Sequence, residues 1–357
     1  MKQGWEIKKL GEVCNLYQPR TISGEMLVED GKYLVYGANG IIGRYNEYNH
    51  ENSEVLLTCR GATCGTINVS EPYSWINGNA MVVQPKNDNI GKIYLQYLLQ
   101  AVDWGKVITG AAQPQITRQS LSPLDVIIPP REEQEKIVAE LDCLSGVIEK
   151  KREQLRELDA LAQSIFYTMF GDPITNEKGW ETCELQKVST LLNGRAYKQN
   201  ELLDEGKYKV LRVGNFFTNS NYYYSDLELE PEKYCDDGDL LFAWSASFGA
   251  FIWNGGKVIY HYHIWKVLYD KQKLNIDYYR FLLNTMTAYF MKDVHGIGMV
   301  HLTKAGMEQY ILPIPSLTLQ QEFADKIEAI EKQKELIKQS ITQTEELFNS
   351  RMSYYFN

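Results

Sequence analysis

Two short stretches, IIPPREEQEKIVAEL (Ile127–Leu141) and PIPSLTLQQEFADKI (Pro313–Ile327), decide how this chain folds. Each joins a proline-containing turn to the start of a long helical pattern, and the alignment between them sets Gln134 opposite Gln320. Proline ends a preceding strand and is tolerated in the first turn of a helix. The sequence therefore predicts a strand, a turn and a long helix at both places.

The rest of the chain repeats around these stretches. A repeat of this kind indicates duplicated structural units. The stretches from about residue 20 to 90 and from 195 to 275 show little similarity. The segments that flank these stretches, which we call the frame, are therefore duplicated, while the stretches themselves differ between the halves. The matching pairs are Gly4-Trp5-Glu6 with Gly179-Trp180-Glu181, YLQYLL (Tyr94–Leu99) with YYRFLL (Tyr278–Leu283), and Ile116-Thr117-Arg118 with Leu302-Thr303-Lys304.

Both helical stretches carry apolar residues at spacings of four and three, which is typical of a coiled-coil seam. Because each helix offers one stripe, the economical arrangement packs the two helices on each other, antiparallel if the halves are related by an approximate two-fold axis. The alternative is that each stripe covers its own domain. A helix of roughly 30 residues would be about 45 Å long. The seam residues are Ile137, Leu141, Leu144, Ile148, Leu155, Leu158 and Ile165 in the first helix, and Phe323, Ile327, Ile330, Ile337, Ile341 and Phe348 in the second.

These patterns predict an α+β protein. Two similar mixed α/β domains would be joined by two long antiparallel coiled-coil helices, as a pseudo-two-fold internal repeat. Gly171 supplies a helix C-cap and Pro173 prevents continuation of the first helix. The predicted segments are a first domain (1–130), a first helix (131–170), a linker (171–178), a second domain (179–315) and a second helix (316–357).

The composition is that of a globular protein. Hydrophobic residues make up 44% of the 357 and charged residues 23%, which argues against a disordered chain. No apolar stretch approaches 18 residues and the N-terminus lacks the apolar region of a signal peptide, so we expect a cytoplasmic protein. The six cysteines are scattered without a C-x-x-C pair, which favours reduced thiols.

A net charge of −9 argues at first against a nucleic-acid partner, because phosphates require a positive surface. The location of the charge changes this conclusion. Residues 132–163 hold nine acids and five bases, and residues 322–351 hold seven acids and five bases, so the helices carry most of the excess. The remaining chain is nearly neutral and can present a basic face to DNA, while the acidic helices suit protein partners.

Catalytic motifs are missing from the sequence. It contains no phosphate-binding loop, dinucleotide fingerprint, H-E-x-x-H or G-x-S-x-G pattern. His261 and His263 share one face of a strand pattern, but the sequence shows no further ligands, so no metal site is predicted. We therefore expect a non-catalytic protein without a cofactor of its own.

Several segments together resemble the specificity subunit of type I restriction-modification systems. The resemblance covers essentially the whole chain in both halves. The second half departs from the usual pattern with PIPSLTLQQ at its proline turn, and with Met299-Val300 where the first half has Gln113-Pro114. The segments are Gly4-Trp5, YGANGIIG (Tyr36–Gly43), G-x-x-Q-P-x-I (Gly110–Ile116), IPPREEQEKIVAELD (Ile128–Asp142) and M-F-G-D-P (Met169–Pro173).

The resemblance implies that each half begins with a target recognition domain and that the paired helices hold the two readers apart. Partners would be double-stranded DNA, two modification (methyltransferase) subunits and restriction (motor-nuclease) subunits. S-adenosylmethionine, ATP and magnesium would be bound by those subunits. Two different readers predict a split, asymmetric DNA target with an unread spacer.

Polar residues of the divergent regions are the candidate DNA contacts, because Arg, Lys, Asn and His can bind phosphates or base edges. The alternatives are salt bridging for the arginines and loop hydrogen bonding for the asparagines. Arg118 and Lys304 are the best founded, since a base occupies the equivalent place in both halves. The candidates are Asn39, Arg44, Arg60 and Arg118 in the first half, and Arg195, Arg212, Asn215, His261 and Lys304 in the second.

Three other functions remain open. The chain could be the reader module of a related methyltransferase or nuclease system, or a coiled-coil scaffold that does not bind DNA. It could also combine a reader with a catalytic nuclease or methyltransferase, although two reader-plus-helix units leave no room for one.

Overall fold

The structure is a computed structural model that describes residues 4–110, 114–245, 247–291 and 302–356, without the side chain of Phe217. Gln113, Met299 and Val300, at which the two halves differ in sequence, lie outside the described residues. The chain forms two compact units, each of which is described separately below. Unit 1 comprises Met1–Arg152 and Lys338–Asn357, and unit 2 comprises Glu153–Ile337.

Unit 1 combines three small sheets with short helices and the first part of a long helix. Its elements are β1 (Glu6–Lys9), α1 (Leu10–Val13), β2 (Cys14–Tyr17), β3 (Tyr33–Gly37), β4 (Gly40–Tyr45), β5 (Val55–Thr58), β6 (Ile67–Val69), β7 (Trp75–Ile76), β8 (Ala80–Pro85), α2 (Lys92–Gln100), α3 (Arg118–Leu121), β9 (Asp125–Ile128) and the start of α4 (Arg131–Phe170).

Unit 2 contains the end of α4 and a second set of sheets. Its further elements are β10 (Thr182–Glu184), α5 (Leu185–Val188), β11 (Ser189–Asn193), β12 (Tyr208–Leu211), α6 (Asn215–Thr218), β13 (Tyr223–Ser225), β14 (Tyr234–Cys235), β15 (Leu240–Ser245), β16 (Ser247–Ile252), β17 (Val258–Tyr260), β18 (Ile264–Tyr269), α7 (Ile276–Phe290), α8 (Lys304–Glu308), β19 (Ile311–Pro313) and the start of α9 (Leu317–Phe356).

The two units share one topology. The sheets β1-β9, β2-β8-β5-β6 and β4-β3-β7 of unit 1 correspond in strand order to β10-β19, β11-β18-β15-β16 and β13-β12-β17 of unit 2, where β14 adds one strand. In each unit one pair is parallel, β3 with β7 and β12 with β17. The predicted α+β class and internal repeat are therefore confirmed.

A buried glutamine ties the start of each long helix to its domain. In unit 1 the Gln134 side chain accepts a hydrogen bond from the Gly91 N–H (2.9 Å) and donates to the carbonyls of Asn89 (2.7 Å) and Pro129 (2.9 Å). Gly91 is the N-cap of α2, so the glutamine joins the beginnings of two helices. Both predicted proline turns are thus held by a side chain as well as by proline.

Gln320 repeats the arrangement in unit 2. It accepts from the Asn275 N–H (2.7 Å) and donates to the carbonyls of Lys273 (2.9 Å) and Pro315 (2.8 Å). Asn275 is the N-cap of α7. Both glutamines are almost fully buried, at 1% and 0% exposure, and their amide groups are satisfied by these bonds. The duplication therefore extends to single hydrogen bonds.

The long helices pair antiparallel within each unit, as predicted. In unit 1 Arg152 contacts Glu345 (2.8 Å), and toward the start of α4 Glu140 contacts Arg351 (2.9 Å). In unit 2 a salt bridge joins Asp159 to Lys334 (2.7 Å), and further along α4 the ring of Phe166 lies 5.7 Å from that of Phe323. In both cases residue numbers rise along α4 as they fall along α9.

Both helices are longer than the sequence estimate of 45 Å. Each contains 40 residues and is about 60 Å long. The estimate took roughly 30 residues for each helix, whereas the predicted segments 131–170 and 316–357 agree with the observed bounds to within one residue. Gly171 ends α4 as predicted, with a φ of 76° and its N–H bonded to the Tyr167 carbonyl (2.8 Å).

The predicted seam residues are all buried or half-buried, some of them within a globular core and the others outside any core. Toward the helix ends they join globular cores, such as Ile137 and Leu141 in unit 1 and Phe323 in unit 2. The alternative reading, a stripe that covers its own domain, therefore applies there. The sequence stripe also missed Phe166 and other buried residues of the helix ends. The seam residues that belong to no globular core are Leu144, Ile148, Leu155, Ile337 and Ile341.

None of the helices in the described ranges is both long and apolar enough to cross a membrane.

We expect Gln134→Leu to lower the free energy of unfolding of unit 1 by about 3 kcal/mol. The apolar side chain leaves a buried N–H and two carbonyls without partners, and each such group costs about 1–3 kcal/mol. Hydrogen exchange measured peptide by peptide would show faster exchange across unit 1. Gln343→Leu, at an exposed position of α9 in the same unit, is the control. Equal exchange in the two variants would contradict the assigned role of Gln134.

Candidate nucleic-acid interface

Three of the predicted DNA-binding residues of unit 2 line one pocket. Arg212 and His261 follow β12 and β17, and because these strands are parallel their carboxyl ends meet at the same edge of the sheet. Asn215 begins α6 beside them. The pocket has a volume of about 470 Å³. Its lining residues are Arg212, Val213, Gly214, Asn215, Thr218, Ser220, Asn221, Ser245, His261 and His263.

Asn215 holds the loop that forms one wall of this pocket. Its side-chain oxygen accepts from the Arg212 N–H (2.8 Å), and its amide nitrogen donates to the Ser220 carbonyl (2.8 Å). The residue is only 7% exposed. Loop hydrogen bonding was the alternative to a DNA contact for Asn215, and the side chain has that role here. A direct DNA contact of Asn215 stays a prediction, which its burial disfavours.

Arg195 lies next to the pocket strands but is engaged by an acid. Its guanidinium forms two hydrogen bonds with the Glu201 carboxylate (2.8 and 2.7 Å) and lies 5.2 Å from the centre of the Tyr197 ring. The main chain of Arg195 bonds to the Tyr260 carbonyl and the Tyr262 N–H. Salt bridging was the alternative to a DNA contact for Arg195, and the side chain forms such a bridge. A DNA contact of Arg195 stays a prediction.

His261 lies in a cluster of rings at the end of β17. The centre of its ring lies 4.5 Å from that of Tyr262 and 4.8 Å from that of His263. Burial, followed by the proximity of His263 and Arg212, lowers the pKa of His261 to about 4. The imidazole is therefore neutral at pH 7. Its Nδ1 accepts from the His263 main-chain N–H (3.5 Å), so the ring offers an Nε2–H donor rather than a positive charge.

In unit 1 two of the predicted residues lie on connected loops. Asn39 occupies the turn between β3 and β4, where its side-chain oxygen accepts from the Asn68 amide (3.0 Å). The hydroxyl of Thr58 donates to the carbonyl of Ala38, next to this turn, and the exposed Arg60 follows two residues later. The structure therefore brings Asn39 and Arg60 to neighbouring loops.

Arg44 is placed apart from that turn. It lies near the other end of the β3–β4 hairpin, opposite Leu34, whereas Gly37 and Gly40 flank the turn. Its Nε donates to the Gly31 carbonyl (2.7 Å). The contact braces the hairpin, and a DNA contact of Arg44 stays a prediction.

Arg118 and Lys304 occupy equivalent positions, as the sequence repeat predicts. Each is the first residue of a short helix whose N-cap is a threonine, Thr117 for α3 and Thr303 for α8. The preceding segments also match, because the Ile116 N–H bonds to the carbonyl of Cys59 (3.0 Å) and the Leu302 N–H to that of Trp244 (3.3 Å). Arg118 is exposed, while Lys304 lies 3.6 Å from Glu308 on the same helix.

Strand pairing reveals an equivalence that the sequence does not show. The Asn77 N–H bonds to the Tyr36 carbonyl, and the His261 N–H bonds to the Leu211 carbonyl, both at 2.9 Å. The segment Asn77-Gly78-Asn79 therefore corresponds to His261-Tyr262-His263, and Gly37 corresponds to Arg212. The sequence had no signal for this match, because the two segments share no residue. Asn77, His263 and Ser245 were not among the predicted contacts.

No cluster of three or more histidine, cysteine or acidic side chains suited to a metal occurs in the described ranges. His261 and His263 lie close together without a further ligand of this kind there.

Comparison with known proteins places these features in a family. The sequence model of the type I restriction modification DNA specificity domain matches residues 2–159 and 177–346. The specificity subunit of the type I restriction enzyme MjaVIII from Methanocaldococcus jannaschii is 20% identical to this chain over an alignment 379 residues long. The alignment covers 92% of this chain and 86% of that protein.

Two solved structures share the fold. One is the crystal structure of the S subunit of a type I restriction-modification system from M. genitalium, with a TM-score of 0.58 at 12% identity over 98% of this chain and 95% of that one. The other comes from work on complex assembly and conformational transition of the type I R-M system. It has a TM-score of 0.61 at 15% identity and covers 100% of this chain and 98% of the other.

We expect the His261 imidazole to titrate near pH 4 in the folded chain, below the usual value of 6.5. Because the folded pKa is lowered, neutral His261 contributes stability that is present above pH 6.5 and lost as the pH falls toward 4. NMR titration of the histidine ring protons, assigned with His261→Asn, would measure this midpoint. A midpoint at or above 6.5 would contradict the half-buried placement of the ring beside His263 and Arg212.

Proposed function

The chain belongs to the type I restriction-modification DNA specificity family, and we propose that it is the subunit that reads the DNA sequence for such a complex. Its target is a bipartite, asymmetric site, with one half bound by each unit. The non-catalytic chain works in the cytoplasm and recruits two modification subunits and the motor-nuclease subunits. Those subunits supply S-adenosylmethionine, ATP and magnesium.

One observation supports the asymmetric target above all. The same strand ends carry different polar groups in the two units. Unit 1 presents the exposed Asn79, since Asn77 is buried and bonded to Ile22 and Trp75, and unit 2 presents His261-Tyr262-His263. Direct reading of bases depends on the donors and acceptors that a surface presents in a groove. Equivalent positions with different donors and acceptors would therefore read different base pairs.

The long helices support the recruitment of protein partners. Exposed acids and bases alternate along α4, with salt bridges such as Arg131–Glu135 and Arg156–Glu153 within the helix. Exposed charged pairs of this kind add little stability, since each contributes about 0–1 kcal/mol. They leave a charged helix surface on which the modification subunits would dock.

A selection experiment tests the proposed function. The chain, assembled with its modification subunits, would be incubated with random DNA duplexes, and the bound duplexes would be sequenced. We expect two short conserved blocks separated by a spacer of constant length and random sequence. One continuous block would contradict the split target, and no enrichment would favour a scaffold that does not bind DNA.

The same preparation tests whether this chain is itself an enzyme. Methyl transfer to the selected duplex is expected only when the modification subunits are present. Transfer by this chain alone would contradict the non-catalytic assignment.

We expect Arg118→Ala to weaken DNA binding for all sequences and to reduce the slope of log affinity against log salt by about one, because the assigned contact is to a phosphate. Lys304→Ala should have the same effect in unit 2. Lys271→Ala, an exposed base outside the proposed interface, is the control. Binding measured at several salt concentrations provides the slopes, and a slope equal to that of the control would refute the phosphate contact.

A further inference from the structure

We infer that Arg212 reads a guanine in the half-site bound by unit 2, through two hydrogen bonds from its guanidinium to the O6 and N7 acceptors of the base. The inference rests on the proposed function and adds a base identity to it. Arginine pairing with these two acceptors is the commonest specific contact of proteins in the major groove.

The first argument is that the guanidinium of Arg212 is available. The residue is exposed, and in the described part of the chain no carboxylate forms a salt bridge with it. The neighbouring Arg195 differs, because both arms of its guanidinium are bonded to Glu201. Among the described residues, Arg212 is therefore the one of these two arginines whose donors remain free for a ligand.

The second argument is that Arg212 is already held in place. Its guanidinium carbon lies 5.3 Å from the centre of the Tyr223 ring, a cation–π contact that restricts the long side chain. Its main-chain N–H is bonded to the side chain of the buried Asn215. A side chain restricted before binding loses less conformational entropy on contact with DNA.

The third argument is the chemistry of the pocket around Arg212. Neutral His261 offers a donor, its Nε2–H, because its Nδ1 accepts from the His263 N–H. The buried Ser245 hydroxyl, also on the pocket wall, has no hydrogen-bond partner among the described residues. A concave site with one cation among neutral hydrogen-bonding groups suits a base edge, whereas a phosphate needs only the cation.

Unit 1 has no side chain for the same contact. Gly37 occupies the position equivalent to Arg212, and a Cβ added there would lie 2.6 Å from Cγ2 of Ile42. A side chain at this position would therefore require the Ile42 side chain, which is 49% exposed, to move aside. Guanine reading by this position is thus confined to the half-site of unit 2.

The test is the random-duplex selection, performed with the complex containing the unaltered chain, Arg212→Ala or Arg212→Lys. We expect the unaltered chain to select a G·C pair at one position of one block. Both variants should lose that preference by about tenfold or more and leave the other block unchanged. Lysine retains the charge without the two-pronged geometry, so it separates base reading from phosphate binding.

Each other outcome has a defined meaning. Retention of the G·C preference by both variants, or uniform weakening by Arg212→Ala with rescue by Arg212→Lys, would overturn the inference and leave the split target intact. Failure of the unaltered chain to select any sequence would instead refute the proposed function. Lys271→Ala is the control for an exposed base of unit 2, and thermal unfolding shows that each variant is folded.

Discussion

The hydrogen bonds of two buried glutamines are the constraint on which the rest of this structure depends. Gln134 and Gln320 each join three main-chain segments: the turn before a long helix, the loop before a second helix and the N-cap of that helix. Away from water an unpaired amide is costly, so all three bonds form together. They determine the direction in which α4 and α9 leave the domain that precedes each of them in the chain.

The frame and the loops of each unit follow different physical rules. The frame repeats in detail, because the tyrosines of α2 and α7 also match: Tyr94 donates to the Ile127 carbonyl and Tyr278 to the Pro313 carbonyl, both at 2.9 Å. The loops after β7 and β17 occupy equivalent places but carry different side chains, and β3 leads into a tight turn where β12 leads into a longer loop that contains α6. Buried positions must satisfy fixed main-chain partners, whereas exposed loop positions are free to vary with the ligand.

Much of the frame could be predicted from sequence, because prolines, capping residues and apolar spacing act locally. The starts of the long helices, the Gly171 cap and the match of Arg118 with Lys304 belong to this class. The candidate interface was harder to predict. The bond between Arg195 and Glu201 depends on a turn whose path the sequence does not specify, and Phe166 lies beside the predicted stripe because the helix end enters a globular core.

The contact between Gly37 and Ile42 limits how unit 1 can change. Any longer side chain at residue 37 meets the isoleucine across the hairpin, so a gain there requires the exposed Ile42 side chain to move aside or to be replaced by a smaller one. Alone, the first substitution is expected to displace the Ile42 side chain, while the second only removes apolar surface. A new DNA preference at this position would therefore depend on the residue at position 42 as well, and libraries that vary both codons together would test that dependence.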